Sequence, residues 1–222
     1  VNLSGLTKYS RTSIFYNRVA PIQINYLGYP GTMGLKSMDY IIADKIIVPK
    51  EEQRNFVEKI AYMPNSYQPN SIYENKISNK IFTKVDENLP KNSFVFCCFN
   101  GNHKILPNVF DSWMRILKAV DGSVMWLLET SSTSQNNLQA EASSRGIDPN
   151  RLIFCQRLKH DEHLARQKLA DLFLDTAPYN AHTTASDSLM VGLPLITCFG
   201  QSFASRVSAS ILNAIEMPEL IT

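Results

Sequence analysis

The sequence predicts an α/β protein whose second half is a parallel sheet with helices on both faces. From residue 93 onward, short apolar runs alternate with segments of helical period, five strands against five helices. The run SFVFCCF at 93–99 is almost continuously apolar, as in a strand buried on both faces. Polar residues then collect between strand ends and helix starts, the edge at which open parallel sheets bind ligands.

The first half reads less regularly. Residues 12–18 fit a short helix and 22–27 alternate as a strand, running into the loop GYPGTMG at 28–34. Three glycines and a proline in seven residues suit a loop lying against a ligand, and suit a tight turn equally well. Apolar runs at 39–43 and 46–48, a helix from Pro49 through 51–56 and a strand at 59–63 complete this part. Residues 65–90 are rich in Asn, Ser, Lys and Pro, with isolated Tyr67, Tyr73 and Phe82, and read as a connection laid over the surface.

In the second half, Pro107 opens a helix on which Phe110, Trp113, Met114 and Leu117 recur at helical spacing, so Trp113 is expected in the core. Strands follow at 123–128, 152–155, 172–175 and 195–198. The intervening helices are expected at 137–145, ended by Gly146, at 162–168, and at 185–191, ended by Gly192 and Pro194; residues 204–215 form the last helix.

Composition narrows the function classes. The chain has 222 residues and a net charge of +2 from 22 basic and 20 acidic residues, without a basic stripe, which argues against nucleic acid as a partner. Cys97, Cys98, Cys155 and Cys198 lie in apolar segments without a CxxC and read as small hydrophobes of a reducing compartment. No 18-residue apolar run or signal peptide occurs, so the expectation is a cytoplasmic protein with no membrane partner. No Asp/Glu pair has metal-ligand spacing, and His103, His160, His163 and His182 fall on separate segments, so no metal is expected. A dehydrogenase is disfavoured, because the glycine fingerprint and its later acidic residue do not occur together.

The densest polar stretch is DTAPYNAHTTASD at 175–187. A strand end, a polar loop and a helix start would aim His182, Thr183, Thr184 and free backbone N–H groups at one phosphate-sized object, with Asp187 a turn later beside a sugar hydroxyl. The bland alternative is a threonine that caps the helix and an aspartate that suits its dipole. Asn100, Asn102, His103 and Lys104 after the first strand, and Lys159, His160 and His163 after the third, should emerge at the same edge.

This stretch, with GLP at 192–194 and FASRV at 203–207, resembles the catalytic region of the protein O-linked N-acetylglucosamine transferase family, in its bacterial form. PIQINYLGYPGT at 21–32 and CFNGNHKI at 98–105 resemble it too, so the similarity spans almost the whole chain. The resemblance implies a GT-B fold: a partial amino-terminal Rossmann-like lobe at 1–64, a connection at 65–90 and a truncated nucleotide-sugar-binding lobe at 91–222. It implies UDP-N-acetylglucosamine as donor, no cofactor, Ser/Thr hydroxyls of proteins or peptides as acceptors, inversion at the anomeric carbon, and tetratricopeptide repeats in the full-length chain. By the same resemblance Lys104 is the pyrophosphate lysine and the catalytic candidate. His163 lies on the uracil side, Thr183 and Thr184 bind phosphate, Asp187 binds ribose, and Gly28 and Pro30 face the sugar and acceptor.

Two departures accompany the resemblance. Gly101 stands where animal enzymes carry a glutamine, with Asn102 as the neighbour able to replace that contact, and the family's active-site histidine precedes the segment matching 1–5. The chain is therefore expected to be a fragment holding most of the donor site. His103 and His182 are the candidates for a general base that is otherwise unassigned. The alternatives are a UDP-sugar transferase of other specificity and a UDP-binding or scaffold module without catalysis.

Overall fold

The computed structural model describes residues 1–71 and 76–222; Tyr73 of the expected connection lies outside them. The chain forms two compact units, Val1–Pro69 with Phe199–Glu219, and Asn70–Cys198 with Leu220–Thr222.

The first unit is built on a three-stranded parallel sheet of β1 (Ile24–Asn25), β2 (Tyr40–Ala43) and β3 (Lys59–Tyr62), in that order. Its strands are shorter than the apolar runs suggested, and the apolar run at 46–48 forms a turn. The carboxylate of Asp44, at the end of β2, explains that turn, because it accepts from the backbone N–H of both Ile46 and Ile47 at 2.9 Å. The helices expected near 12–18 and 51–56 are short 3-10 turns, Thr12–Tyr16 and Lys50–Asn55.

The helix that spacing places last, α5 (Val207–Ala214 in the structure), belongs to this first unit. Buried polar groups tie it there. Ser210 Oγ donates to Asp44 at 2.6 Å, and Tyr67 packs edge-on against Phe203 at 5.1 Å. The buried Arg206 guanidinium reaches Gly200 O at 2.7 Å, Ile47 O at 3.3 Å and Glu52 at 2.7 Å. An arginine withdrawn from water is tolerable only with donors satisfied in this way.

The second unit is a five-stranded parallel sheet of β4 (Val95–Cys98), β5 (Val124–Leu128), β6 (Leu152–Cys155), β7 (Leu172–Leu174) and β8 (Leu195–Ile196). Their order across the sheet is β6-β5-β4-β7-β8. All four residues of β4 and all five of β5 are buried, the continuous apolar signal of strands covered on both faces. The connecting helices are α1 (Pro107–Ala119), α2 (Ser132–Ser144), α3 (His160–Gln167) and α4 (Thr183–Met190). Pro107 sits in the first turn of α1, whose Val109, Phe110, Trp113, Met114 and Leu117 are buried.

Helix α2 begins earlier than its apolar period indicates, because Ser131 caps it by accepting from Ser134 N at 3.2 Å. The connection beyond 75 lies along this unit: Ser78 N donates to Asp161 O at 3.1 Å, and Leu89 is buried. Cys97, Cys98 and Cys155 are buried, their thiols pushed up by burial, whereas Cys198 at the end of β8 is exposed.

The chain builds outward from β4 through β5 to β6, then returns to lay β7 on the other side of β4, with Phe96 opposite Leu172 and Cys97 opposite Phe173. The loops leaving β4 and β7 therefore turn in opposite directions over the sheet. Such a reversal opens a crevice at the carboxyl edge, between the 99–106 loop and the 175–182 loop.

Candidate functional site

Asp175 organises the crevice. Its Oδ1 accepts from Thr176 N and Ala181 N at 2.7 Å and from Asn100 Nδ2 at 3.1 Å, and its Oδ2 accepts from Thr197 Oγ1 at 2.7 Å. One carboxylate thus curls the loop after β7 back on itself and fastens it to the loops after β4 and β8. Asn100 carries the tie further, since its Nδ2 donates to Thr176 Oγ1 at 2.8 Å while its Oδ1 accepts from Thr184 Oγ1. Asn180 Nδ2 closes the turn on Thr176 O at 2.7 Å.

With the loop held so, the start of α4 faces the crevice. His182 occupies the N-cap position, and its side chain does not cap the helix. Thr183 is exposed at the first helical position and Thr184 follows it, so neither acts as the side-chain cap of the bland reading. Ala185 N already donates to His182 O at 3.1 Å, whereas the N–H groups of Thr183 and Thr184 have no preceding turn to accept them, which leaves these two for another acceptor.

Lys104 approaches from the β4 side. Its Nζ donates to Asn180 O at 3.0 Å and lies 4.0 Å from the centre of the Tyr179 ring, and burial lowers its pKa while Asp175 opposes the shift. Tyr179 stacks in turn on His182, with centroids 5.0 Å apart at 25°. Lys104 and His182 are thus two sides of one cluster.

Beside this cluster lies a cavity of about 280 Å³, whose lining includes Gly101, His160, His163, Arg166, Thr184 and Asp187. Burial raises the Asp187 carboxyl, while His160 opposes that shift by placing Nε2 at 3.1 and 3.2 Å from its two oxygens. His163 is lowered to about 4, first by burial and then by the positive charge of Arg166. Arg166 Nε donates to His163 Nδ1 at 3.1 Å, which fixes a neutral ring with its proton on Nε2. Phe99 meets that ring edge-on at 4.9 Å. The cavity therefore offers a neutral imidazole suited to a planar heterocycle and a carboxylate suited to paired hydroxyls.

His163, Thr184 and Asp187 are brought to one cavity, and Lys104 and His182 to the cluster next to it, with Thr183 at the head of α4. Gly28 and Pro30 lie part-buried in the first unit. Glycine at 28 has a local cause there: a Cβ would fall 1.8 Å from Leu3 O.

At Gly101 the neighbouring His103 ring takes the space, 2.7 Å from where a Cβ would sit. Asn102 instead directs its Nδ2 to Thr130 at 2.8 Å and Ser134 at 2.9 Å, tying the loop to the start of α2. Sequence reasoning missed Arg157, which lines the cavity, the pairing of His160 with Asp187, and the role of Asp175. The last left a signal, a carboxylate closing an otherwise apolar strand. Among the described residues no group of three or more His, Cys, Asp or Glu could hold a metal ion, and no helix is long and apolar enough to cross a membrane.

Two units built on parallel sheets flanked by helices, with a polar crevice at the switch point of the larger sheet, have the architecture of a GT-B glycosyltransferase. The chain belongs to glycosyl transferase family 41, whose model matches residues 1–70 and 68–222. It is 36% identical over 96% of its length to the "Probable UDP-N-acetylglucosamine--peptide N-acetylglucosaminyltransferase SEC" of Arabidopsis thaliana, covering 22% of that protein. Against the "Probable UDP-N-acetylglucosamine--peptide N-acetylglucosaminyltransferase SPINDLY" of Solanum lycopersicum it is 32% identical over its whole length and covers 24% of that protein. The structure of a mutant Thermobaculum terrenum O-GlcNAc transferase superposes with a TM-score of 0.81 at 27% identity, over 92% of this chain and 38% of that one. A sucrose-phosphate synthase from Thermosynechococcus elongatus shares the fold alone, with a TM-score of 0.53 at 13% identity over 82% of this chain and 50% of that one.

Proposed function

We propose that this chain carries the donor site of an inverting transferase that moves N-acetylglucosamine from its UDP conjugate to Ser/Thr hydroxyls of proteins. The observation that carries the reading is the convergence of Lys104 and the amino end of α4 across the β4/β7 switch point, with Asp187 one turn into that helix.

Displacement at the anomeric carbon breaks the bond to the UDP oxygen and leaves negative charge on the pyrophosphate. Lys104 and the N–H groups of Thr183 and Thr184 heading α4, with the Thr183 hydroxyl and His182, are donors fixed in advance where that charge develops, while the Thr184 hydroxyl, donating to Asn100, holds the loop in place; elsewhere a divalent ion fills this role. Asp187 accepts from the ribose hydroxyls, and His163 lies against the uracil. Donor and acceptor chemistry are supported by the names of the relatives, and the sugar-side roles of Gly28 and Pro30 by the resemblance of their motif.

Calorimetric titration of the chain with UDP tests the reading. Saturable binding, weakened at least tenfold by Asp187→Ala with an unchanged circular-dichroism spectrum, is the expected result; a folded chain that does not bind UDP overturns it. Transfer assays on the longer enzyme then test Lys104→Ala, for which we expect turnover to fall on the order of a hundredfold or more, the size seen when one preorganised donor is removed.

A further inference from the structure

We propose that Tyr179 is a positioning residue of the donor site: the face of its ring clamps the Lys104 ammonium against Asn180 O, so that Lys104 is aimed at the pyrophosphate before the nucleotide arrives. The inference rests on the reading of Lys104 given above and adds a residue that neither the spacing nor the resemblance singled out.

A lysine side chain has four rotatable bonds, and holding it in one place costs entropy that a ligand must otherwise meet. Here that cost is met within the protein. Lys104 Nζ is 4.0 Å from the Tyr179 centroid and 3.0 Å from Asn180 O. Of its three N–H donors one is spent on that carbonyl and one is directed at the ring, so one remains for an anion. The negative quadrupole of the ring stabilises the charged form of an amine that burial disfavours.

The ring itself is fixed from behind. It stacks on His182 at 5.0 Å, and the backbone carbonyl of Tyr179 accepts from Thr176 Oγ1 at 2.7 Å. Thr176 belongs to the turn that Asp175 and Asn100 hold. Tyr179 thereby links the lysine arriving from β4 to the N-cap residue of α4, and one side chain sets the position of both anion-facing elements. The contact with Lys104 is made by the face of the ring, which phenylalanine also presents.

Titrating the chain with UDP, UMP and uridine tests this, using Tyr179→Phe, Tyr179→Leu and Tyr179→Ala, each also combined with Lys104→Met. A cation–π contact of this kind predicts roughly tenfold weaker UDP binding for Tyr179→Ala and Tyr179→Leu, and binding within about twofold of the parent for Tyr179→Phe. The loss should shrink for UMP and vanish for uridine, and Tyr179→Ala should add nothing once Lys104 is Met. Equal losses for uridine and UDP, or losses that add fully to those of Lys104→Met, overturn the clamp and leave Tyr179 a packing residue. A parent chain that binds UDP no better than uridine defeats the reading of Lys104 itself, a result distinct from either.

Discussion

At the scale of single residues, His163 shows how packing sets chemistry. A histidine in water is half-charged near neutrality, but burial and the Arg166 guanidinium lower this one to about 4, so it is neutral throughout the physiological range. The same shift has a cost in acid. Below about pH 6.5 the unfolded chain binds a proton at this position that the folded chain refuses, so stability is lost as pH falls from there through 4 and levels off below it. By linkage the loss at pH 4.5 is on the order of 2–3 kcal/mol relative to pH 7.5. Urea unfolding at the two pH values, for the parent and for His163→Gln, checks it. The variant should lose less stability in acid by about that amount; an identical loss in both would mean that other groups govern the acid response.

Elements obey simpler rules, and two of them yield predictions. Helix α2 buries only Ala142, so little packing holds it and its N-cap matters more than usual. Ser131→Ala should cost about 1 kcal/mol locally, seen as faster hydrogen exchange of the first-turn amides of α2 with little change in global unfolding. Unchanged exchange there would show that the cap contributes nothing. Gly28 is constrained differently. A methyl at this position meets the carbonyl of Leu3, and backbone yields less readily than a side chain. Gly28→Ala should destabilise the first unit by roughly 1–3 kcal/mol, the usual cost of overpacking, measured by urea unfolding.

These cases also mark what was legible. β4 and α1 could be read from apolar runs and spacing, since their signals are local. The start of α2 was hidden because Ser and Thr are equally at home in loops and at caps, and the order of the strands gives no hint that α5 joins the first unit. Residue types at the strand ends were readable as a candidate site. The Asp175 hub, the pairing of His160 with Asp187, and Tyr179 over Lys104 were not, because each joins residues far apart in sequence that only the sheet register brings together.

For the whole molecule, the distribution of tryptophan makes ligand binding separable by unit. Both tryptophans, Trp113 and Trp126, are buried in the core of the second unit, and the first unit has none. Trp126 lies 5.1 Å from Phe99, which in turn contacts His163 at 4.9 Å, so tryptophan emission reports unfolding of the unit proposed to bind UDP. A ligand that binds only the folded form stabilises it by about 2.7 kcal/mol at a hundred times its dissociation constant. For a unit of this size that corresponds to a rise of roughly 8 °C in the fluorescence-detected midpoint. Asp187→Ala should abolish most of the rise at the same UDP concentration. Far-UV circular dichroism, which senses both units, should follow the fluorescence if they unfold together and split into a UDP-sensitive and a UDP-insensitive transition if they do not. A UDP-dependent shift visible by dichroism but absent from tryptophan emission would mean that the nucleotide stabilises the first unit instead, and the donor site would have to be sought there.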